Sequence, residues 1–176
     1  TVPDPAYTLA LADGTPEDDR VHIRGGHKNL GEVVPRRFLT AFGGRRAADA
    51  NVSSGRLDLA RQVASPDNPL TARVYVNRLW YHLTGRGLVA TVDDFGVMGQ
   101  EPSHPDLLDW LAVEFQDSGW DVKRLMRLIV TSRAYKQTAR SAGGYIEDPE
   151  NRWLARGPRF RMPSWMLRDH ALAASG

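Results

Sequence analysis

The sequence lacks cysteine entirely, and this absence excludes several chemistries. Without thiols, these 176 residues can form no disulfide, no thiolate zinc site, no covalent haem attachment and no cysteine nucleophile. No apolar run approaches the roughly 20 residues that a membrane-spanning helix requires, so we expect no membrane span. The formal net charge of +2 is too small to indicate nucleic-acid binding, and no interleaved aromatic and basic residues suggest an RNA partner.

The chain also lacks an initial methionine and a charged-then-apolar leader, and it stops at Gly176 directly after a predicted helix. We interpret it as a piece of a longer or processed protein. Its composition therefore does not predict where the protein is localised.

The hydrophobic content of 41% is sufficient for one core with a smaller appendage. Short apolar alternations at 8–12 and 21–23, broken by glycine turns, predict an arm of one or two short strands within residues 1–50. Residues 41–55 are typical of a mobile linker. We place the domain boundary at residue 50, with a helical domain over 51–176 that we expect to be truncated at its C-terminus.

From residue 56 onward, apolar residues recur with the helical period of 3.6. This pattern predicts five helices, at 56–64, 69–84, 104–116, 122–135 and 163–174. The second helix has two apolar faces. The main one comprises Ala72, Val76, Leu79, Trp80 and Leu83. The second comprises Leu70, Val74 and Tyr81. A helix that is apolar on two faces is expected to be central to its domain. The predicted fold is mainly α, with a short β or extended N-terminal arm.

Several residues that flank these helices are typical of caps. Asn68, before a proline, predicts the N-cap of the second helix. Ser103 lies three residues before Asp106 and predicts a capping box for the third. Trp120 and Leu125 have the spacing of a hydrophobic staple at the start of the fourth. The fourth helix is expected to turn inward a face that comprises Val122, Leu125, Met126, Ile129 and Ser132.

The stretch 93–115 contains most of the candidate site residues. Its carboxylates and histidine could coordinate a hard or borderline divalent cation, with Asp94 and His104 as the candidate ligands. The alternative is structural: Asp106 and Asp109 would lie in the first turns of a helix, where the helix dipole favours negative charge. Asp93 and Asp94, which precede Gly96, are common turn residues. We favour the structural alternative.

The central helix carries polar side chains in an apolar setting. Asn77 interrupts an apolar stripe, and a buried amide without hydrogen bonds costs about 1–3 kcal/mol. The acidic loop at 93–94 is a natural partner for Arg73 or Arg78, which would make this a structural network. Alternatively, Asn77, Arg78 and His82 line a polar pocket. The candidate catalytic residues are therefore Asp93, Asp94, His104, Asn77 and Arg78.

The familiar catalytic motifs are not present. Asp94-Phe95-Gly96 resembles the magnesium-binding triplet of protein kinases, but no glycine-rich loop, strand lysine or H-R-D loop accompanies it. No H-E-x-x-H pair and no G-x-S-x-G elbow occurs. The basic residues Lys123, Arg124 and Arg127 predict a solvated helix face, with a docking surface as the alternative.

Residues 68–139 combine short motifs that together resemble a known family. They are Asn77-Arg78 with Trp80, Gly85-Arg86-Gly87-Leu88-Val89, Asp94-Phe95-Gly96, Pro102-Ser103-His104-Pro105, Leu108-Asp109-Trp110-Leu111 and Gly119-Trp120. In these motifs the chain is similar to the uncharacterised C-terminal domain of large planctomycete-type exported proteins, which commonly carry a cytochrome-c-like domain upstream. Residues 22–38 and 148–176 resemble the linker and the helix that flank this block in the family.

The resemblance implies an exported protein, periplasmic or at the cell surface, with haem c elsewhere in the parent chain and no cofactor in these residues. It implies no established reaction. We therefore expect a non-catalytic helical module that packs on neighbouring domains and assists polysaccharide or other partner binding. The alternative is a hydrolase-like or redox-linked enzyme domain that uses the cluster of Asp, His, Arg and Asn side chains.

Overall fold

The computed structural model describes residues 9–12, 14–44, 53–140 and 147–176. The chain divides into two compact units, Thr1–Asn68 and Pro69–Gly176. The described residues contain five α-helices and one antiparallel pair of strands near the N-terminus, which confirms the predicted mainly α fold with a short strand arm. The domain boundary at residue 50 stays a prediction, because compactness alone does not measure independent folding.

The arm contains two short strands. β1 (Asp19–His22) and β2 (Leu30–Val34) pair in antiparallel register, with Asp19 opposite Val34. Every residue of β1 is exposed. The pair is therefore held by its backbone hydrogen bonds rather than by a buried apolar face.

The remaining predictions for the arm have mixed outcomes. The strand expected at 21–23 is confirmed for residues 21 and 22 by β1, whereas Ile23 begins a 3₁₀ helix (Ile23–Gly25). The described part of the alternation at 8–12 forms no regular structure, so that strand is wrong there. Residue 8, like residues 45–52 of the linker predicted at 41–55, lies outside the described residues.

The first helix, α1 (Arg56–Val63), ends one residue before its predicted end and buries none of its residues. Asn68 follows it and is only 9% exposed. The Asn68 side-chain amide donates to the carbonyl oxygens of Gln62 at 3.4 Å and Val63 at 3.3 Å. The amide thus closes the C-terminal end of α1. The N-cap residue of the next helix is Leu70 rather than Asn68, the predicted residue.

The central helix, α2 (Thr71–Thr84), starts two residues later than predicted, with Leu70 as its N-cap residue. It ends where predicted: Gly85 has a φ of 84°, and its N–H donates to the carbonyl of Tyr81. The main apolar face is confirmed by three buried side chains, those of Ala72, Val76 and Trp80. Tyr81, on the predicted second face, is 42% exposed, so α2 is less enclosed than expected.

The third helix, α3 (Pro105–Asp117), buries its predicted face through Leu108, Leu111, Ala112 and Phe115. Its N-cap residue is His104, whose side chain accepts no hydrogen bond from the helix. Ser103 instead contacts a distant carbonyl: its N–H, at 2.8 Å, and its hydroxyl, at 3.2 Å, both donate to Leu88. The capping box predicted for Ser103 and Asp106 is therefore wrong, because the hydroxyl serves a tertiary contact.

The fourth helix, α4 (Val122–Thr131), starts as the staple predicts. The Asp121 carboxylate accepts from the N–H of Arg124 at 3.0 Å, and the flanking Trp120 and Leu125 both pack in the core. Met126 was expected inside and is 38% exposed. The helix ends earlier than predicted because Ser132 has an extended backbone, with a ψ of 155°.

The core of the second unit lies among α2, α3, α4 and the segment that leaves α2. Its buried cluster comprises Val76, Trp80, Leu88, Val89, Leu108, Leu111, Phe115, Leu125 and Ile129. The Phe115 ring stacks on Tyr75 with centroids 5.0 Å apart and meets the edge of Trp120 at 5.1 Å. Because Leu88 and Val89 belong to this core, the backbone just after α2 is fixed in place.

The last helix, α5 (Ser164–Ser175), is offset by one residue from its predicted range of 163–174. It buries no residue, and its large apolar side chains are solvent-exposed: Trp165 by 60%, Leu167 by 53% and Leu172 by 56%. No described helix has both the length and the apolar character needed to cross a membrane.

Candidate functional site: the predicted polar cluster and an arginine-lined cleft

Asn77 is fully buried, and both ends of its amide are hydrogen-bonded. The Nδ2 group donates to the carbonyl of Val89, and Oδ1 accepts from the Val89 N–H, both at 2.9 Å. This side chain therefore satisfies the backbone of Val89 as a neighbouring strand would. Position 87, beside it, requires glycine, because a Cβ there would lie 2.3 Å from the Val89 carbonyl oxygen. Asn77 fastens the segment after α2 to the helix.

The arginines of α2 form ion pairs at the surface. Arg78 contacts Asp93 at 2.9 Å, as predicted for the acidic loop, with the two side chains 56% and 88% exposed. Arg73 contacts Asp109 at 2.6 Å rather than the acidic loop, and also donates to the carbonyl of Pro69. The hydrogen bond from Arg73 lowers the pKa of the Asp109 carboxyl below its ordinary value; burial opposes this shift, and charge attraction adds to it.

Asp94 and His104 have local partners. The Asp94 Oδ1 accepts from the N–H of Gly96 at 2.8 Å, which is the bond of an Asx turn. The Nδ1 of His104 lies 3.0 Å from the hydroxyl of Ser103, beside the start of α3. The two candidate ligands are thus held in separate turns. Among the described residues, no group of three or more His, Asp or Glu side chains is arranged to hold a metal ion.

A different set of residues encloses a cleft of about 340 Å³ in the second unit. Its walls are the end of α2, the segment 85–88, Ser103 and residues 149–160. Four arginines line it against a single carboxylate, that of Glu150: they are Arg86, Arg152, Arg156 and Arg159. None of the five candidate catalytic residues lines this cleft.

The loop 148–157 supplies one wall and is held by its own polar side chains. Asp148 is only 7% exposed, and its two carboxylate oxygens accept from the backbone N–H groups of Arg152 at 2.8 Å and Trp153 at 2.9 Å. Asn151 both donates to the carbonyl of Arg156 at 2.8 Å and accepts from its N–H at 3.2 Å. These bonds give the loop a defined shape without a helix or strand.

The charge of Asp148 is stabilised despite its burial. Burial raises the pKa of this carboxyl. The N–H donors of Trp153 and Arg152 lower it, as do the positive charges of Arg156 and Arg86, and their combined effect is larger than that of burial. The net pKa therefore lies below the ordinary value, and Asp148 is ionised at neutral pH.

Two glycines bring the walls of the cleft together. The Gly157 N–H donates to the carbonyl of Thr138 at 3.0 Å, and a Cβ at Gly157 would lie 2.2 Å from the carbonyl oxygen of Gln137. A Cβ at Gly85 would lie 2.6 Å from the Cβ of Phe160. Both approaches are possible only for glycine, so they fix the loop against the end of α2 and the segment after α4.

The charged bridge across the cleft joins residues far apart in sequence: Arg86 forms an ion pair with Glu150. Sequence reasoning did not identify this site, because no motif of fixed spacing connects its two walls. The only sequence signal for this site lies within one of its walls, the loop 148–157. In Asp148–Gly157 an aspartate and an asparagine, both turn formers, precede two arginines, and a third arginine follows at 159.

The fold and the cleft define a small helical domain with a basic, loop-walled cavity. The sequence profile of the PSD1 family, described as a protein of unknown function (DUF1553), matches residues 55–176. The chain belongs to this family, which confirms the resemblance to an uncharacterised domain. No curated protein matches the chain, and no solved structure does so either.

Proposed function

We propose that the chain is a non-catalytic helical module of an exported multidomain protein, which packs on neighbouring domains and assists polysaccharide or partner binding. The observation that carries this proposal is the use of the candidate catalytic side chains in internal bonds. Asn77 is occupied by Val89 at both ends, and Asp94 closes a turn. A general acid or base needs an accessible polar atom that faces a substrate site.

The geometry of the other candidates supports the same conclusion. Asp93 and Arg78 form a pair on the open surface, where water competes for every contact. A catalytic cluster is expected in a concave site that converges on one bound molecule. The candidate residues of this chain do not line the cleft that the second unit contains.

Exposed apolar side chains support packing on a neighbouring domain. Trp165, Leu167 and Leu172 of α5 are each more than half exposed, and Trp153 is 65% exposed. Trp165 and Leu172 are seven residues apart and therefore share one face of α5, and exposed apolar surface on a soluble protein commonly marks an interaction site. We infer that another domain of the parent protein covers α5.

The proposed parent protein is exported, periplasmic or at the cell surface, and carries haem c in another domain. This part of the proposal rests on the resemblance of residues 68–139 to planctomycete-type exported proteins. It assigns no cofactor to the present residues.

Hydrogen–deuterium exchange, compared between this chain alone and its parent protein, tests the packing. We expect the amides of α5 to exchange more slowly in the parent, whereas those of α2 serve as the control and change little. Equal exchange of α5 in both proteins would contradict the proposal. The non-catalytic part fails if the chain takes up one equivalent of a divalent metal and His104→Ala abolishes that uptake without unfolding the protein.

A further inference from the structure

The lining of the cleft described above carries a net positive charge, because four arginines and one carboxylate line it. Of its four arginines, Arg86 is paired with the single lining carboxylate, Glu150. Asp148 does not line the cleft, and its oxygens accept hydrogen bonds from backbone N–H groups. Arg152 is exposed and forms no ion pair with the described residues. Like charges gathered on one concave surface repel each other and attract an anion.

From this arrangement we propose that the cleft is a binding site for a small molecule that carries an oxyanion group, a carboxylate, phosphate or sulfate. Guanidinium groups bind these groups in particular, because their planar N–H donors match two oxygens at once. The proposal does not depend on the proposed function, since it concerns residues outside the predicted polar cluster.

The loop that carries the arginines is already ordered. Asp148 and Asn151 bind its backbone at four points, and Gly157 docks it against Gln137 and Thr138. Arg156 is 6% exposed and donates to the carbonyl of Pro149, so it helps to hold the loop. A preformed wall binds a ligand without the entropic cost of ordering a loop.

The size and lining of the cleft limit the ligand. Its volume of about 340 Å³ lies near the lower end of the range for small-molecule sites, roughly 300–1,000 Å³. Phe160, which is 38% exposed, adds an apolar surface to the polar wall. The cleft therefore suits a compact molecule with a ring or short carbon body and one charged end.

The pair of Arg86 and Glu150 has a specific consequence for binding. Glu150 occupies one guanidinium of the cleft, and its charge opposes the approach of any anion. Removing that charge should free Arg86 for the ligand. Glu150→Gln is therefore expected to tighten binding, whereas loss of an arginine weakens it.

Isothermal titration calorimetry with four probes of the same ring size tests the site: glucuronate, glucose 6-phosphate, glucose 6-sulfate and neutral glucose. We expect at least one anion to bind at low salt and glucose not to bind. The anion that binds identifies the group that the cleft prefers. Equal binding of glucose, or no binding by any of the three anions, would overturn the proposal.

Variants of the chain locate the binding. Arg152→Gln should weaken the affinity for the bound anion about tenfold, the effect of one lost charge-assisted hydrogen bond, and Glu150→Gln should strengthen it. Arg127→Gln on α4 is the matched control, because it removes the same charge at an exposed position outside the cleft. If Arg152→Gln and Arg127→Gln alter the affinity equally, with melting temperatures unchanged, the anion binds elsewhere and the proposal is wrong.

Discussion

At the scale of single residues, Asn77 shows how a polar side chain can serve the fold rather than a reaction. Its amide satisfies both backbone groups of Val89 inside the core. Asn77→Ala would leave a buried N–H and a buried carbonyl without partners, at about 1–3 kcal/mol for each group. We expect urea unfolding to show that Asn77→Ala lowers the free energy of unfolding by an amount of this size.

Arg78→Ala is the comparison for this prediction. Its ion pair with Asp93 is largely solvent-exposed, and pairs of this kind contribute about 0–1 kcal/mol. If Arg78→Ala destabilises the protein as much as Asn77→Ala, the amide does not have the role assigned to it.

Ser103 provides a test that distinguishes a helix cap from a tertiary contact. Aspartate is as good an N-cap as serine, but it cannot donate a hydrogen bond to the carbonyl of Leu88. We expect Ser103→Asp to lose about 0.5–1.5 kcal/mol of stability and Ser103→Thr, which keeps the hydroxyl, to lose less. Thermal unfolding of the two variants measures the difference. Full stability of Ser103→Asp would restore the capping interpretation.

At the scale of elements, the loop 148–157 links stability to pH. The folded-state pKa of Asp148 is lowered, so its contribution to stability is present above the unfolded pKa of about 3.9. That contribution is lost as the pH falls through the folded value. We expect Asp148→Asn to reduce stability at pH 7, and the difference from the wild type to shrink below about pH 4.

Denaturant titrations at pH 7 and at pH 3 measure this difference. Asp109→Asn is the control, because its carboxyl also has a lowered pKa but lies in a half-exposed surface pair. It should show a much smaller change. A stability gap for Asp148→Asn that stays constant between the two pH values would exclude the ionised carboxylate as its cause.

The elements also show which features the sequence can predict. Helical periodicity located α2 and α3 because burial of one face imposes a pattern within each segment. It failed at Ser103, since the partner of its hydroxyl, the carbonyl of Leu88, lies outside the helix that follows, and it misplaced the N-cap of α2, which is Leu70 rather than Asn68. The cleft was not predictable because Arg86 and Glu150, which meet in the folded unit, are 64 residues apart in sequence.

At the scale of the whole molecule, the apolar core lies within residues 69–176. We expect this segment alone to unfold cooperatively, with a melting temperature within about 4–8 °C of the full chain, the shift that roughly 1 kcal/mol produces in a domain of this size. Differential scanning calorimetry of 69–176 and of 51–176 measures the effect. Loss of cooperative unfolding in 69–176 alone would place the boundary nearer the predicted residue 50.

The loop 148–157 has a further consequence for the order of folding events. The helical core is made by α2, α3 and α4, which follow one another along the chain, whereas the loop is fixed to Arg86 across a separation of 64 residues. Contacts between distant segments form late, because closing a long chain costs entropy before any interaction compensates it. In stopped-flow chevron experiments, Gly157→Ala should therefore accelerate unfolding and leave the folding rate nearly unchanged. The cleft would then be the last part of the unit to assemble and the first to open.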